Sequence, residues 1–233
     1  MKFYKYGIIL ERLKEEDIEL VRRWRNSDPV RLNMKYQEVI TPEMQLIWFN
    51  SINNLQNNYL MIHYKGEKIG LLNDKNIDWE SRSSESGIFF GRTEFYNTFL
   101  PYLVSVAGIE TTFYFLGWKK QVAHILRSNT NAVKFNLMLG YHLCAKQEDH
   151  DHQWYEMTRE SFEQKAGKIR KAVRTLAGND TKTKVLFEPN DYKIGLAQRF
   201  EELLKGYDQP LEREETHEGI WYREAEAENT VQK

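Results

Sequence analysis

The sequence predicts an α/β fold of the α+β kind, in which helices flank a mixed, mainly antiparallel central sheet and a helical C-terminal extension follows. Three observations support this prediction. Over residues 1–158, the segments follow one another as strand, two helices, three-strand meander, helix, strand, helix and strand pair. The segment Pro101–Leu116 is apolar nearly all round, as a buried helix is. From residue 159 onward, apolar residues recur at the four-three spacing of one helix face.

The first part of the chain contains one strand and two helices. The short, β-branched run Tyr6–Leu13 ("YGIILERL") predicts a strand, and Glu16–Arg25 carries apolar residues at helical spacing. Thr41 followed by Pro42 is a helix start, because threonine caps a helix and proline suits its first position. This second helix is expected to end near Asn54.

A meander, the buried helix and a further strand and helix come next. Tyr59–Tyr64 and Ile69–Asp74, joined by the turn "KGEK", predict a hairpin, and Ser86–Gly91 predicts the third strand. Beyond the buried helix, Gln121–Leu126 predicts a strand, and "SNTNAVKFNLMLGY" predicts a short helix that ends at Gly140 in a left-handed conformation. The segments "YHLC" and "WYEM" predict the last two strands of this block.

These patterns divide the chain into three units: an α/β domain at 1–158, a helical extension at 159–206 and an acidic tail at 207–233. The first helix of the extension, 162–176, has an apolar seam and basic residues on its other faces. Tyr192–Leu204 predicts a second helix. The tail is rich in glutamate and is predicted to be disordered.

Composition excludes several classes of function. The chain has 233 residues, is 41% hydrophobic and 29% charged, and carries a net charge of −1, which argues against a general nucleic-acid binder. Its single cysteine, Cys144, excludes an intramolecular disulfide and any structural zinc site that needs two thiolates from one chain. The first residues lack the apolar region of a signal peptide, and no apolar run approaches the ~20 residues of a membrane span. We therefore expect a cytoplasmic protein that binds neither nucleic acid nor membrane.

Three segments resemble a known family. "SNTNAVKFNLMLGY" resembles the last motif of the GNAT superfamily of N-acetyltransferases: an Asn, two residues, Ala, an aliphatic residue, then Leu-Gly-aromatic. The matching residues are Asn129, Ala132, Val133, Leu139, Gly140 and Tyr141. "ESGIFFG" resembles the central strand of that family, and "RWRNSDPVRLNM" resembles an early segment of the branches that acetylate nucleotide-linked amino sugars or ribosomal-protein N-termini. The resemblance covers roughly residues 6 to 158 and rests on the order and spacing of these segments.

The resemblance implies acetyl-CoA as cosubstrate, lying between two splayed central strands, with its pyrophosphate at the start of the helix that follows. The physical basis is general, because free first-turn amides and the helix dipole make an anion site. The residues expected to bind the cofactor are Phe89, Phe90, Asn97, Thr98, Phe99, Tyr102 and Asn129. For Asn129 a second role stays open, as the cap of the helix that begins near Thr130.

The chain departs from the pattern of the family at two places. The loop from Tyr96 to Pro101 contains no glycine, and Pro101 removes one N–H donor. Each hydrogen bond lost to a charged group costs ~1.5–3 kcal/mol, or about ten- to a hundredfold in affinity. Where many members carry a tyrosine that protonates the CoA thiolate, this chain has Asn136, which can hydrogen-bond a thiolate but cannot protonate it.

Acyl transfer also needs a group that takes a proton from the attacking amine, and Glu85 is the candidate base, directly or through water. The alternative is a solvated carboxylate at a strand start. Arg25 and Asn26 are candidates for the acceptor pocket, and the alternative for them is a helix-end cap or an ion pair. His150 and His152 could share one face of an extended segment, but the sequence places no third ligand beside them, so no metal is expected.

Two functions follow from these observations. The first is an acetyl-CoA-dependent N-acyltransferase for a primary amine, either a small molecule such as an amino-sugar nucleotide or a peptide N-terminus. The second is a GNAT-fold protein without catalysis that serves as a binding or assembly module, which the glycine-free loop and Asn136 favour. The basic helix 162–176 and the tail around Trp221 are candidate surfaces for a protein partner, unless they pack on the same chain. A homodimer is a further option.

Overall fold

The computed structural model of the protein describes residues 1–225, and within them eleven strands form one sheet. The strands are β1 (Lys2–Lys5), β2 (Ile8–Arg12), β3 (Asn57–Tyr64), β4 (Glu67–Asp78), β5 (Ser83–Phe90), β6 (Lys120–Leu126), β7 (His142–Leu143), β8 (His152–Thr158), β9 (Lys184–Phe187), β10 (Leu211–Thr216) and β11 (Gly219–Glu224). The α-helices are α1 (Ile18–Asn26), α2 (Asp28–Arg31), α3 (Pro42–Ile52), α4 (Leu100–Glu110), α5 (Thr130–Leu139), α6 (Arg159–Ala177), α7 (Pro189–Ile194) and α8 (Leu196–Leu204).

The sheet runs in the order β10-β11-β9-β1-β2-β3-β4-β5-β6-β8-β7. Neighbouring strands are antiparallel except β5 and β6, which are parallel. Helix α4 connects those two strands, since parallel neighbours need a crossover. The predicted mixed, mainly antiparallel sheet flanked by helices is confirmed.

Alternate residues of the central strands enter two cores, one on each face of the sheet. Leu72 and Phe90 belong to the larger core, which also contains the apolar residues of α4 and α6. Leu71 and Phe89 belong to the smaller core, in which they pack with Val21 of α1. Helices α1 and α3 therefore lie on the opposite face of the sheet from α4.

The predicted helix boundaries rest on caps that the structure confirms. Thr41 caps α3, because its Oγ1 accepts a hydrogen bond from the Met44 N–H at 3.2 Å. Helix α4 is buried almost throughout, continues into a π turn and is followed by Gly117, which has a φ of 68°. Helix α5 ends at Gly140 with a φ of 105°, where a Cβ would lie 2.5 Å from the Ser161 carbonyl oxygen. Only glycine fits there.

The strand predicted over Tyr6–Leu13 is present as β2 (Ile8–Arg12), and a preceding strand, β1, was not predicted. The chain turns at Tyr6 and Gly7, whose φ values are 56° and 73°, so that β1 and β2 form a hairpin. Two successive left-handed residues are typical of a type I′ turn, which matches the twist of the flanking strands. The buried Tyr6 hydroxyl donates to Glu110 Oε2 at 2.5 Å, and this contact offsets the strain of a non-glycine residue in the turn.

The extension after Thr158 adds helices, as predicted, and also a strand that was not predicted. Helix α6 begins with a capping box between Thr158 and Ser161 and buries Phe162 against the larger core. Strand β9 pairs with β1. The predicted second helix is divided at Gly195, with a φ of 85°, into α7 and α8. None of the helices within residues 1–225 combines the length and the apolar character that crossing a membrane requires.

The prediction of disorder for the acidic tail is wrong for the part of it that the structure describes. Strands β10 and β11 form a hairpin, and β11 pairs with β9. The Trp221 ring lies 5.3 Å from the ring of Tyr4, so this aromatic residue packs on its own chain. The rest of the tail, residues 226–233, lies outside the described residues.

Candidate functional site

Strands β5 and β6 separate along their length. They pair only at Ser83, Ser84 and Glu85, and no further pair joins them among the described residues. Where the strands are still paired, Ser84 Oγ of β5 and Gln121 Nε2 of β6 donate to the same Asp74 oxygen, at 2.8 and 3.1 Å. Burial raises the pKa of Asp74 to about 6. The two strands are thus fixed at one end and open a V-shaped gap at the other.

The edge of β5 that borders this gap presents backbone N–H groups. The Gly91 N–H donates to Ile69 on the β4 side at 2.9 Å, so the N–H groups of Phe90 and Ile88 point to the β6 side. The Phe90 N–H already donates to the Tyr96 hydroxyl oxygen at 3.0 Å. Alternation points the Phe89 N–H toward β4, away from the gap. Of the two phenylalanines predicted to bind the cofactor through their amides, neither has an N–H free for a ligand, whereas Ile88 has one on the correct edge.

The first turn of α4 retains fewer free amides than predicted. Thr98 N–H donates to the Phe95 carbonyl at 3.2 Å, and Leu103 N–H donates to the Phe99 carbonyl at 3.1 Å. Asn97 is the exposed last residue of a 3₁₀ turn. Among the described residues, the N–H groups of Phe99 and Tyr102 have no protein acceptor. These two donors at a helix N-terminus are what remains for an anion.

Aromatic rings connect this first turn to α5. The Phe99 and Tyr102 ring centroids are 5.9 Å apart, and the Tyr102 and Phe135 centroids are 4.8 Å apart. The Tyr102 hydroxyl also lies 3.3 Å from the sulfur of Met138. Because α4 and α5 follow the two separating strands, the rings of Phe99, Tyr102 and Phe135 span the mouth of the gap. These three rings are called the aromatic bridge, and Met138 contacts it.

Glu85, the predicted base, lies on β5 at the point where the strands separate. It is buried, and both carboxylate oxygens have partners. Lys75 Nζ is 2.8 Å from Oε1, and Asn76 Nδ2 donates to Oε2 at 3.0 Å. The carboxylate therefore has a partner on each oxygen on the α1 side of the sheet, and its role in catalysis stays a prediction.

Asn129 and Asn136 both bond to the backbone of α5. Asn129 Oδ1 accepts from the Ala132 N–H at 3.1 Å, which is the capping role that the sequence left open. Asn136 Nδ2 donates to the Ala132 carbonyl at 2.8 Å. With one N–H of its amide engaged in the helix, Asn136 keeps its second N–H and its carbonyl oxygen for other contacts.

Arg25 and Asn26 end α1 in different ways. Asn26 bonds the Ile40 backbone twice, with Nδ2 donating at 2.8 Å and Oδ1 accepting at 2.9 Å, so it positions the segment before α3. Arg25 Nη1 is buried without a hydrogen-bond partner among the described residues. Burial lowers the pKa of Arg25, and the nearby Tyr59 hydroxyl opposes that shift.

His124 on β6 is a site residue that the sequence reading missed. Its ring is stacked on Trp154 at a centroid distance of 4.3 Å and an angle of 8°, with the His152 ring 5.3 Å away. Burial lowers the pKa of His124, while the charge of Glu85 acts to raise it. His150 is exposed in the preceding loop. Within residues 1–225, no three His, Cys, Asp or Glu side chains gather as a metal site would need.

No family model and no curated protein match the chain, but solved structures do. A domain from Methanocaldococcus jannaschii is 22% identical, with a TM-score of 0.56 over 65% of this chain and 97% of that one. Spermidine N-acetyltransferase from Vibrio cholerae in complex with CoA and spermine is 15% identical, with a TM-score of 0.57 over 67% and 98%. AAC(6')-Ib in complex with ribostamycin and coenzyme A is 16% identical, with a TM-score of 0.58 over 67% and 96%. The chain has the GNAT fold.

Within the GNAT fold, the structure brings together part of the predicted site. Phe99, Tyr102 and Asn129 lie on the two helices that follow the separating strands. Ile88 and His124 were missed because their roles depend on which strand edge and which sheet face borders the gap. A histidine inside the apolar run "QVAHIL" was the one signal in the sequence that could have identified His124.

Proposed function

We propose that this chain is an N-acyltransferase of the GNAT type that transfers the acetyl group of acetyl-CoA to a primary amine. The observation that supports it most is the separation of β5 and β6 after three residue pairs, which leaves a gap with the Ile88 N–H on one edge. Structures with the same fold are complexes with CoA and spermine and with coenzyme A and ribostamycin. The acceptor proposed here is a small amine, such as an amino-sugar nucleotide, or a peptide N-terminus.

The donor set fits the cosubstrate. The N–H groups of Phe99 and Tyr102, at the positive end of α4, would receive the pyrophosphate. The Ile88 N–H on the free edge of β5 would polarise the thioester carbonyl, as an oxyanion donor does. The amine would approach from the opposite sheet face, where Glu85 and Arg25 lie.

Residues 1–158 are proposed as the transferase unit, since the similar structures cover about two thirds of this chain. The extension at 159–206 would support it by packing α6 against α4. The exposed lysines of α6 are proposed as the surface for an acidic protein partner, and these residues are Lys165, Lys168 and Lys171. A homodimer and a cytoplasmic location remain part of this proposal.

Calorimetric titration with acetyl-CoA tests the function, with dephospho-CoA as a comparison that keeps the pyrophosphate. We expect micromolar binding of both ligands, because the proposed backbone donors contact the part that they share. No binding at millimolar acetyl-CoA would contradict the proposal.

The aromatic bridge favours the second candidate, a binding or assembly module without catalysis. Its rings would have to move for the pantetheine arm to pass between α4 and α5. Phe99→Gly combined with Tyr102→Ala removes two of the rings. If the rings only obstruct the entry of acetyl-CoA, the double variant should bind it more tightly than the wild type does. Absence of binding in both proteins would leave the module as the better account.

A further inference from the structure

The His124 side chain borders the V-shaped gap on the α1 side of the sheet, from which the amine is proposed to approach. Among the described residues it forms no salt bridge. Glu85 of β5 is level with Val122 of β6 in the last pair of the parallel register. Two residues further along the same face, Gly87 and His124 would be level, but there the strands have already separated. Asn73 Oδ1 lies 2.9 Å from where a Cβ of Gly87 would be, and the imidazole of His124 borders the gap at the level where Ile88 presents its N–H group.

The surroundings of His124 fix its ring. The stack on Trp154, 4.3 Å between centroids and nearly coplanar, holds the ring on one side. The groups whose charges act on it are Glu85 on β5, His152 on β8 and Lys35 in the segment between α2 and α3. Among the described residues no carboxylate forms a salt bridge with His124, in contrast to Glu85 with Lys75.

We propose that His124 is the general base of the acyl transfer, which rests on the proposed function. One proton of the substrate ammonium moves to a ring nitrogen of His124, directly or through one water. The neutral amine nitrogen then forms a bond to the thioester carbonyl carbon, and the C–S bond breaks. The departing CoA thiolate takes the second amine proton and leaves as the thiol, while His124 returns its own proton to solvent.

His124 suits this step better than Glu85 does. Both carboxylate oxygens of Glu85 are already engaged, Oε1 by the Lys75 ammonium at 2.8 Å and Oε2 by the Asn76 amide at 3.0 Å. An imidazole whose pKa is lowered by burial is neutral at physiological pH and ready to accept a proton. Glu85 would then contribute a nearby negative charge that favours the imidazolium as it forms.

The first test needs no knowledge of the acceptor. Histidine side-chain NMR signals are followed against pH, with and without acetyl-CoA, and His124→Gln identifies the His124 signal. We expect His124 to titrate below the ordinary histidine value of ~6.5. We also expect the His124 signal to shift on saturation with acetyl-CoA and the His150 signal to stay where it is. If calorimetry shows binding and the His124 signal does not move, the assignment is overturned while the proposed function stands. If acetyl-CoA does not bind, the proposed function fails and the inference fails with it.

The second test is kinetic. Thiol release from acetyl-CoA is measured with spermine, ribostamycin, an amino-sugar nucleotide and a peptide with a free N-terminus. With any amine that is turned over, His124→Gln should lower kcat about 100-fold, leave the KM for acetyl-CoA unchanged and remove the acid limb of the pH profile. His150→Gln, the same change at an exposed loop position, should behave as wild type. Retention of the wild-type rate and pH profile by His124→Gln would overturn the inference, and if no amine is turned over the NMR result decides.

Discussion

The two ends of α4 differ in how they are anchored. At its first turn the N–H groups of Phe99 and Tyr102 lack protein acceptors within residues 1–225, and their rings are only partly buried. At its last residue, Glu110 is 4% exposed and accepts hydrogen bonds from Tyr6 at 2.5 Å and Arg170 at 2.8 Å. Because the C-terminal end of the helix is held by buried contacts, the helix can tolerate first-turn N–H groups that have no acceptor among the described residues. Those N–H groups can then bind a ligand. The stability of this fold and the proposed function should therefore respond to different residues of one helix.

The largest effect is expected at the anchored end. Glu110→Ala removes the acceptor of Tyr6 and leaves the buried cation of Lys5 and the partly buried cation of Arg170 without their carboxylate. Losing one partner of a buried ion pair costs about 3–5 kcal/mol, measured as the free energy of unfolding in urea. The matched control is Glu163→Ala, whose exposed pair with Arg159 at 3.0 Å should contribute at most about 1 kcal/mol. Equal losses of unfolding free energy in the two variants would mean that burial does not determine how much the Glu110 cluster contributes to stability.

The pH dependence of this effect has a definite sign. Burial by itself would raise the pKa of Glu110, but hydrogen bonds from Tyr6 and Arg170 lower it overall. A carboxylate with a lowered pKa in the folded state contributes stability above its unfolded pKa of about 4.3 and loses it as the pH falls. The difference between wild type and Glu110→Ala should therefore be constant near neutrality and shrink in acid. A difference that grows on acidification would contradict this account.

The intermediate effect is expected at the open end. Pro101→Ala adds an N–H donor to the first turn of α4, where proline has none. One more hydrogen bond to a charged pyrophosphate should tighten acetyl-CoA binding about tenfold by calorimetry. Pro189→Ala is the control, because this proline also begins a helix, α7, in the extension. An unchanged affinity in Pro101→Ala would show that the pyrophosphate does not lie at this turn.

Local signals predicted much of the fold. The apolar composition of α4, the cap at Thr41 and the glycine at Gly140 each specify structure within a few residues, and all three are confirmed. The hairpin at Tyr6 was missed because its turn has no Asn-Gly or Asp-Gly signal and depends on Glu110, which is distant in sequence. The strands of the acidic tail were missed because β11 is stabilised by pairing with β9.

The site was less predictable than the fold for a related reason. The sequence located the helix starts near Phe99 and Asn129, which depend on local caps. It could not show that Tyr96 takes the Phe90 N–H or that Lys75 and Asn76 engage Glu85. Those contacts depend on strand register and on a positive φ of 52° at Asn76, where β4 is irregular. Register also brings His124 to the gap.

The smallest expected effect separates stability from ligand binding on α6, the helix that packs against α4. Gly167 lies mid-helix, and a Cβ there would meet no atom of the described residues within 4 Å. Gly167→Ala should therefore stabilise the protein by about 0.5–1 kcal/mol, or about 1–4 °C in Tm, because alanine loses less conformational entropy in a helix. Gly178→Ala, at the cap residue that follows the same helix, has equal space but a φ of 59°, so it should destabilise. Acetyl-CoA affinity should be unchanged in both, and a change in either would mean that the two ends of α4 are coupled through α6.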